Sequence, residues 1–186
     1  VQDYGLDKFL KRMKKNAIEI LESANIDFRF IEIDPRIDKI IVDLKNIDEI
    51  ISFEYDNVKF GNIVKGVMFR YYKSIHFDSD QFDVAKKFLH TSLVNYFQVK
   101  NLFKDYNYNF LMYSHGIYCT WEAISEFCSK RNINFICYDR AKTKSNFIFN
   151  WNQPAPNWDF SHAWNRLKKD VLSDEENKKV DLYLSE

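Results

Sequence analysis

The stretch "NFLMYSHGIYCTWEAISEFCSKRNINFICYD", residues 109–139, decides the fold. Two short apolar runs, 109–114 and 133–139, have the length and composition of buried strands. Between them, residues 120–132 place apolar side chains at helical spacing, and Thr120 can cap that helix. Strand, short loop, helix and strand make a βαβ unit, whose two strands are parallel. We therefore predict a helix-rich α/β fold with a parallel sheet covered by helices on both faces.

Most of the remaining chain has the apolar periodicity of helices. The longest amphipathic segments are 6–24, which Asn25 can end, and 80–105. Residues 46–53 and 63–75 predict two shorter helices in front of the βαβ unit. The sheet is therefore expected to lie among many helices.

Other segments predict strands, or fit two structures equally well. Residues 28–34 alternate apolar and charged side chains, as in a half-buried strand, and residues 145–150 predict another strand. Residues 39–44 fit either a strand or the start of a helix. Ser173 and Glu176 have the spacing of a capping box, which predicts a C-terminal helix.

Composition excludes several classes of function. The chain has 27 basic and 27 acidic residues and a net charge of zero, which favours neither nucleic acid nor an acidic membrane as a partner. No run is long enough to span a bilayer. The spacing of Cys119, Cys128 and Cys137 matches no zinc pattern, so we expect three reduced, structural thiols, no metal site and a cytoplasmic protein.

The candidate functional residues follow the two strands of the βαβ unit, because ligands of open parallel sheets bind beyond the carboxyl ends of the strands. Histidine is a common general base near neutral pH, so His115 is a candidate for that role. Gly116 permits a ligand to approach the backbone closely, or the backbone to adopt an unusual dihedral angle. A histidine that only hydrogen-bonds the neighbouring loops is the alternative. The whole set is His115, Gly116, Tyr118, Asp139, Arg140 and Lys144.

The second strand end leaves its alternatives open. Arg140 and Lys144 could face phosphate groups or only solvent, and Asp139 could orient His115 or a basic residue. The chain has no GxGxxG and no P-loop, so the usual glycine signatures of nucleotide binding are absent.

The order of these motifs resembles that of bacterial glycosyltransferases encoded in capsule and surface-polysaccharide gene clusters. The resemblance rests on "HGIY" (115–118), on "KSNFIF" (144–149) and on "GNIVKGVMFRYY" (61–72), which precedes them. In that family a histidine- or aspartate-rich stretch often follows the second motif, whereas this chain has Asn-Trp-Asn-Gln at 150–153.

The resemblance implies an enzyme of the GT-B type, in which two Rossmann-like domains face each other across a cleft. Residues 1–186 would be a single Rossmann-like domain on the N-terminal, acceptor-binding side. Its partners would be a glycan or lipid-linked acceptor and a C-terminal nucleotide-binding domain of the same protein. The reaction would need a nucleotide-sugar donor but neither metal nor further cofactor, and this piece alone would be inactive. The enzyme would be cytoplasmic or peripheral at the inner membrane.

In this hypothesis, His115 is the base or orients the acceptor, and Gly116 shapes the loop. Tyr118, Arg140 and Lys144 would line the cleft, with Asp139 beside them. Two alternatives remain: a self-contained Rossmann-like domain that binds another phosphorylated metabolite, and a non-catalytic interaction domain.

Overall fold

A computed structural model describes residues 4–26, 32–141 and 146–185. The chain divides into two compact units, Val1–Asp34 and Pro35–Glu186. Within the described ranges, no helix is both long and apolar enough to cross a membrane.

The first unit is built on helix α1, Tyr4–Ser23. Its end is a Schellman motif, with Asn25 in the left-handed conformation at φ 52°. The Ile26 N–H donates to the Leu21 carbonyl at 2.9 Å, and the Asn25 N–H donates to the Glu22 carbonyl at 3.0 Å. These bonds satisfy carbonyls that the helix leaves free, and they confirm the predicted helix stop.

The structure describes the segment 39–44 fully and the segment 28–34 only in part. The predicted strand 28–34 falls mostly outside the described residues, and its last three residues, 32–34, are not in a strand. The segment 39–44 belongs to a helix, α2, which spans Arg36–Asp43. Helical spacing places the fully buried Ile37 on the same side as its apolar neighbours one turn later, and all of them pack on the core.

Three further helices precede the sheet, close to the predicted ranges. The side chain of Asn46 caps the first of them by accepting from the Glu49 N–H at 2.9 Å. A 3-10 turn, Ser79–Gln81, leads into the longest helix. The helices are α3 (Ile47–Ile51), α4 (Phe60–Tyr72) and α5 (Phe82–Asp105).

The core of the second unit surrounds α5, which packs against α4 and against the helix of the βαβ unit. Tyr96, in the middle of α5, is completely buried. Its ring meets Phe60 and Phe127 edge to face, with centroids 5.3 and 5.7 Å apart. Each such aromatic pair stabilises the fold by about 0.5–1.5 kcal/mol beyond the contribution of the apolar area that it buries.

The predicted βαβ unit is confirmed. Strand β1 (Phe110–Ser114) pairs in parallel with β2 (Asn134–Arg140), and α6 (Tyr118–Lys130) connects them. The strand predicted at 145–150 is also present, as β3 (Phe147–Trp151). It pairs antiparallel with β2, so the sheet has three strands in the order β1-β2-β3 and is mixed rather than wholly parallel.

The sheet also differs from the prediction in how it is covered. One face packs on the core through side chains such as Tyr113, Phe135 and Cys137. On the other face, five large apolar side chains are 50–55 % exposed: Phe110, Met112, Phe147, Phe149 and Trp151. Helices α4 and α5 pack on α6, which lies on the covered side, and they leave the other face of the sheet exposed. Helices on both faces are therefore not found among the described residues.

The chain continues from the sheet into short helices. A 3-10 turn, Ala155–Asn157, is followed by α7 (Ser161–Leu167) and α8 (Asp174–Ser185). The predicted capping box in front of α8 is confirmed: the Ser173 N–H donates to Glu176 Oε2 at 2.8 Å, and the Glu176 N–H donates to Ser173 Oγ at 3.3 Å.

Candidate functional site

The loop between β1 and α6 is tied to both of its neighbours through His115. The His115 N–H donates to the Tyr138 carbonyl at 2.7 Å, and the His115 carbonyl accepts from the Ala155 N–H at 2.7 Å. These bonds join the loop after β1 to β2 and to the segment that follows β3. Both His115 (φ 22°) and Tyr118 (φ 67°) have positive φ values that side-chain-bearing residues rarely adopt. Strain of this kind is concentrated at functional sites.

Gly116 is required by packing as well as by its φ of 72°. A Cβ atom there would lie 2.7 Å from Cys137 Sγ, 2.9 Å from Pro154 Cβ and 3.0 Å from Ser125 Oγ. Ser125 Oγ also donates to the Gly116 carbonyl at 2.9 Å. Gly116 thus permits the unusual dihedral, but the side where its Cβ would lie is filled by protein.

A cavity of about 810 Å³ opens beside this loop. Three parts of the chain form its walls: the second half of α4 with Lys73 after it, the loop with one side of α6, and residues 152–157. Its volume lies within the range of about 300–1,000 Å³ that is usual for small-molecule sites. Its polar lining includes Arg70, Lys73, Tyr118, Glu122 and Gln153.

One wall of the cavity is cationic. Arg70 lies in the last turn of α4 and Lys73 directly after it, and both are exposed. The Arg70 guanidinium lies 4.8 Å from the centroid of the Tyr118 ring, and its Nη1 donates to the Tyr118 hydroxyl. Tyr118 is the first residue of α6, which begins without a side-chain cap. The aromatic ring therefore holds the guanidinium at the cavity wall.

The part of the cavity formed by α6 is acidic. Glu122 and Glu126 lie one turn apart on the same side of α6, and both line the cavity. Burial and the neighbouring Glu126 carboxylate raise the pKa of Glu122 above its ordinary value. A carboxylate with a raised pKa is a better proton acceptor near neutral pH than an ordinary surface glutamate.

Amide groups of the segment 152–157 complete the site. Asn152, Gln153 and Asn157 line the cavity. Gln153 Oε1 accepts from Asn150 Nδ2 at 3.3 Å and from the Asp159 N–H at 3.2 Å, so these contacts fix the orientation of the amide. The stretch 150–153, where this chain departs from the family pattern, thus contributes amides to the cavity.

The structure places the predicted residues differently with respect to the cavity. Gly116 and Tyr118 line it, and His115 does not. The His115 ring meets the Tyr118 ring edge to face at 5.3 Å, and its Nδ1 is buried without a hydrogen-bond partner among the described residues. His115 therefore reaches the cavity through Tyr118.

The described residues at the end of the second strand do not contribute to the cavity. Asp139 Oδ1 accepts from the Arg140 N–H at 2.7 Å, and neither residue lines the cavity. Because this hydrogen bond joins Asp139 to its neighbour Arg140, it does not support the hypothesis that Asp139 orients His115. Lys144 lies outside the described residues.

The cysteines lie in the core, near the site but not in it. Cys119, Cys128 and Cys137 are free and buried. Burial raises the pKa of Cys128 to about 12 and that of Cys137 to about 11, so both are neutral thiols. Within the described part of the chain, no group of three or more histidine, cysteine, aspartate or glutamate side chains could hold a metal ion.

The polar cavity residues that the sequence did not single out as site residues include Arg70, Lys73, Glu122 and Gln153. Glu122 stands in an amphipathic helix, where a glutamate on the polar side is normally a solvent-facing residue. The available signal was the pair Glu122 and Glu126 at i, i+4, directly after the HGIY motif.

Comparison of the chain with protein-family models, curated proteins and solved structures gives no match.

Proposed function

We propose that this chain is the acceptor-side, Rossmann-like domain of a glycosyltransferase that builds a capsule or surface polysaccharide. The observation that carries the proposal is the cavity of about 810 Å³ at the carboxyl end of β1, with an aromatic ring, amides and a partly buried carboxylate in its walls. Such a lining suits a sugar, because rings can contact its C–H faces while amides and carboxylates bind its hydroxyl groups.

In the proposed reaction, Glu122 is the general base. An acceptor hydroxyl group in the cavity gives its proton to the Glu122 carboxylate, and the hydroxyl oxygen attacks the anomeric carbon of a nucleotide sugar. The bond from that carbon to the phosphate oxygen breaks, and the nucleotide leaves with the electron pair. The donor would be held by a nucleotide-binding domain of the same protein. The raised pKa of Glu122 supports its role as a proton acceptor.

His115 has a positioning role in this proposal and is not the base. Its ring contacts Tyr118, which lines the cavity, while His115 itself does not. Removing the ring would leave Tyr118 and Arg70 less well fixed. Gly116 shapes the loop that leads from His115 to Tyr118, because no larger residue fits among its neighbours.

The test is a transfer assay on the complete gene product, with a panel of UDP-, GDP- and CMP-sugars and glycan acceptors, read as nucleotide release and as labelled product. Glu122→Gln should lower kcat by about 10²–10⁴-fold, the usual contribution of a general base, with an unchanged melting temperature. His115→Ala should mainly raise KM for the acceptor. Glu175→Gln, an exposed carboxylate of α8, is the matched control and should leave transfer unchanged. Transfer by Glu122→Gln within twofold of the wild type would refute the role of this base, and absence of transfer with the whole panel would refute the proposed function.

A further inference from the structure

Within the described part of the chain, no ion pair neutralises the cationic wall of the cavity. No carboxylate of the described residues forms an ion pair with Arg70 or Lys73, although other cations of the same unit, such as Lys100 and Arg131, are paired. The acidic residues of the cavity stand on α6, and the two cations stand at the end of α4. The cavity therefore presents separate positive and negative sides to one ligand.

Arg70 is held in a position to bind an anion. Its guanidinium lies 4.8 Å from the centroid of the Tyr118 ring and donates one N–H to the tyrosine hydroxyl. The remaining N–H groups form a planar fork that fits a carboxylate or phosphate with two parallel hydrogen bonds. Because the ring already restricts the side chain, less conformational entropy is lost when a ligand binds.

The other walls fit the neutral part of such a ligand. The Glu122 carboxylate and the amides of Gln153 and Asn157 can bind hydroxyl groups of the ligand. None of these three groups carries the positive charge with which Arg70 can bind an anionic group. A ligand that fits both sides carries an anionic group at one end and hydroxyl groups at the other.

We propose that this cavity selects an acidic sugar, one that carries a carboxylate or a phosphate, as the acceptor residue. Arg70 and Lys73 bind the anionic group, and the Glu122 side receives the hydroxyl group that reacts. This inference rests on the proposed function and adds the chemical class of its substrate.

The test measures binding of three probes to the 186-residue chain by isothermal titration calorimetry, supported by saturation-transfer NMR: methyl β-D-glucuronide, glucose 6-phosphate and methyl β-D-glucoside. We expect at least one acidic probe to bind about tenfold more tightly than the neutral glucoside, because charge-assisted hydrogen bonds are about twice as strong as neutral ones. The preferred acidic probe distinguishes a carboxylate from a phosphate. The preference should weaken in high salt.

Variants on α4 locate the preference. Arg70→Met and Lys73→Met should each reduce the preference for the acidic probe. In the double variant, the affinities for the acidic and neutral probes should differ by less than twofold. The affinity for the neutral glucoside should stay within twofold of the wild type. Arg70→Lys keeps the charge without the planar fork and should retain part of the preference. Lys65→Met removes a charge from an exposed position of α4 that does not line the cavity, and it should change nothing.

The outcomes separate the two proposals. Equal affinity for acidic and neutral probes in the wild type, or a preference that survives in the double variant, would overturn the acidic-sugar inference and leave the proposed function standing. Absence of binding by all three probes would count against both. If Lys73→Met lowers the melting temperature together with the affinity for the acidic probe, Lys73 acts only by stabilising the helix end. That result would overturn its part in recognition.

Discussion

Asp56 joins three elements of the second unit through one carboxylate oxygen, and we expect its neutralisation to destabilise the fold. Oδ2 accepts from the Tyr96 hydroxyl at 2.5 Å, from Lys100 Nζ at 2.7 Å and from Arg131 Nη2 at 3.1 Å. The contacts connect the turn that carries Asp56 to α5 and to the end of α6. Asp56→Asn is the appropriate change, because asparagine tolerates the left-handed conformation that Asp56 adopts at φ 52°.

The magnitude follows from the exposure of each partner. Tyr96 is completely buried, and replacing the ionised acceptor by a neutral one weakens its hydrogen bond by about 1 kcal/mol. The side chains of Lys100 and Arg131 are 34 % and 35 % exposed, so solvent screens both ion pairs, each of which contributes about 0.2–1 kcal/mol. Asp56→Asn should therefore lower the free energy of unfolding by about 1–3 kcal/mol. Asp56→Ala should cost more, because it also leaves the Tyr96 hydroxyl without an acceptor.

The pH dependence of this loss identifies its cause. The neighbouring Lys100 and the Tyr96 hydroxyl hold the pKa of Asp56 well below its usual range. The native state therefore binds the proton less readily than the unfolded state, whose aspartate pKa is about 3.9. The contribution of Asp56 is complete above that value and is lost as the pH falls below it towards the folded pKa.

Urea unfolding of wild type and variant between pH 7 and pH 3 measures the difference directly. The gap between the two proteins should be constant above about pH 5 and should shrink below about pH 4, because protonated aspartate resembles asparagine. Asp181→Asn, an exposed position of α8, is the control and should change stability by less than about 0.5 kcal/mol. A loss below about 0.5 kcal/mol for Asp56→Asn, or a gap that does not depend on pH, would refute the reasoning.

Two glycines and one helix cap give further tests. Gly116→Ala should lower the free energy of unfolding by about 3 kcal/mol or more, because strain at φ 72° adds to contacts of 2.7–3.0 Å, whereas Gly66→Ala, with open space at its Cβ, should raise it by about 0.5–1 kcal/mol. Urea unfolding measures both, and similar values for the two would contradict the packing argument. Ser173→Ala should weaken α8 by about 1 kcal/mol, seen as faster hydrogen exchange over 174–185 with an unchanged main unfolding transition, because no residue of α8 is buried. Unchanged exchange there would show that the cap is not needed.

Much of the fold is predictable because local signals agree with tertiary structure. The βαβ unit and α5 have long or paired apolar patterns, and Asn25 and Ser173 have side chains and backbone preferences that end or begin helices. The segment 39–44 was ambiguous because four apolar residues in six fit both periodicities. Its structure is decided by burial of Ile37, upstream of the segment.

The covering of the sheet could not be deduced from strand patterns alone. The sequence of β3, Phe-Ile-Phe-Asn-Trp, places apolar residues on both faces, so it does not show which face the helices cover. A parallel pair favours covering on both faces, but here α4 and α5 pack on α6 instead. Long-range choices of this kind depend on loop lengths and on helix–helix complementarity, which a single sequence does not display.

The site shows the same division between local and long-range information. The HGIY motif locates the loop, because a histidine and a glycine after a strand are visible in sequence. The residues that give the cavity its charges come from α4 and from the second turn of α6, and only packing brings Arg70, Tyr118 and Glu122 together.

The positive φ angles link this packing to the proposed chemistry. Backbone strain at His115 and Tyr118 costs about 1–3 kcal/mol per residue, and the hydrogen bonds of His115 to Tyr138 and Ala155 offset part of it. Because both hydrogen bonds fix His115 and its ring contacts Tyr118, the Tyr118 ring keeps the position in which it holds Arg70. An anionic group would then bind to a guanidinium that is already oriented, and the strained loop would contribute to affinity by maintaining that orientation.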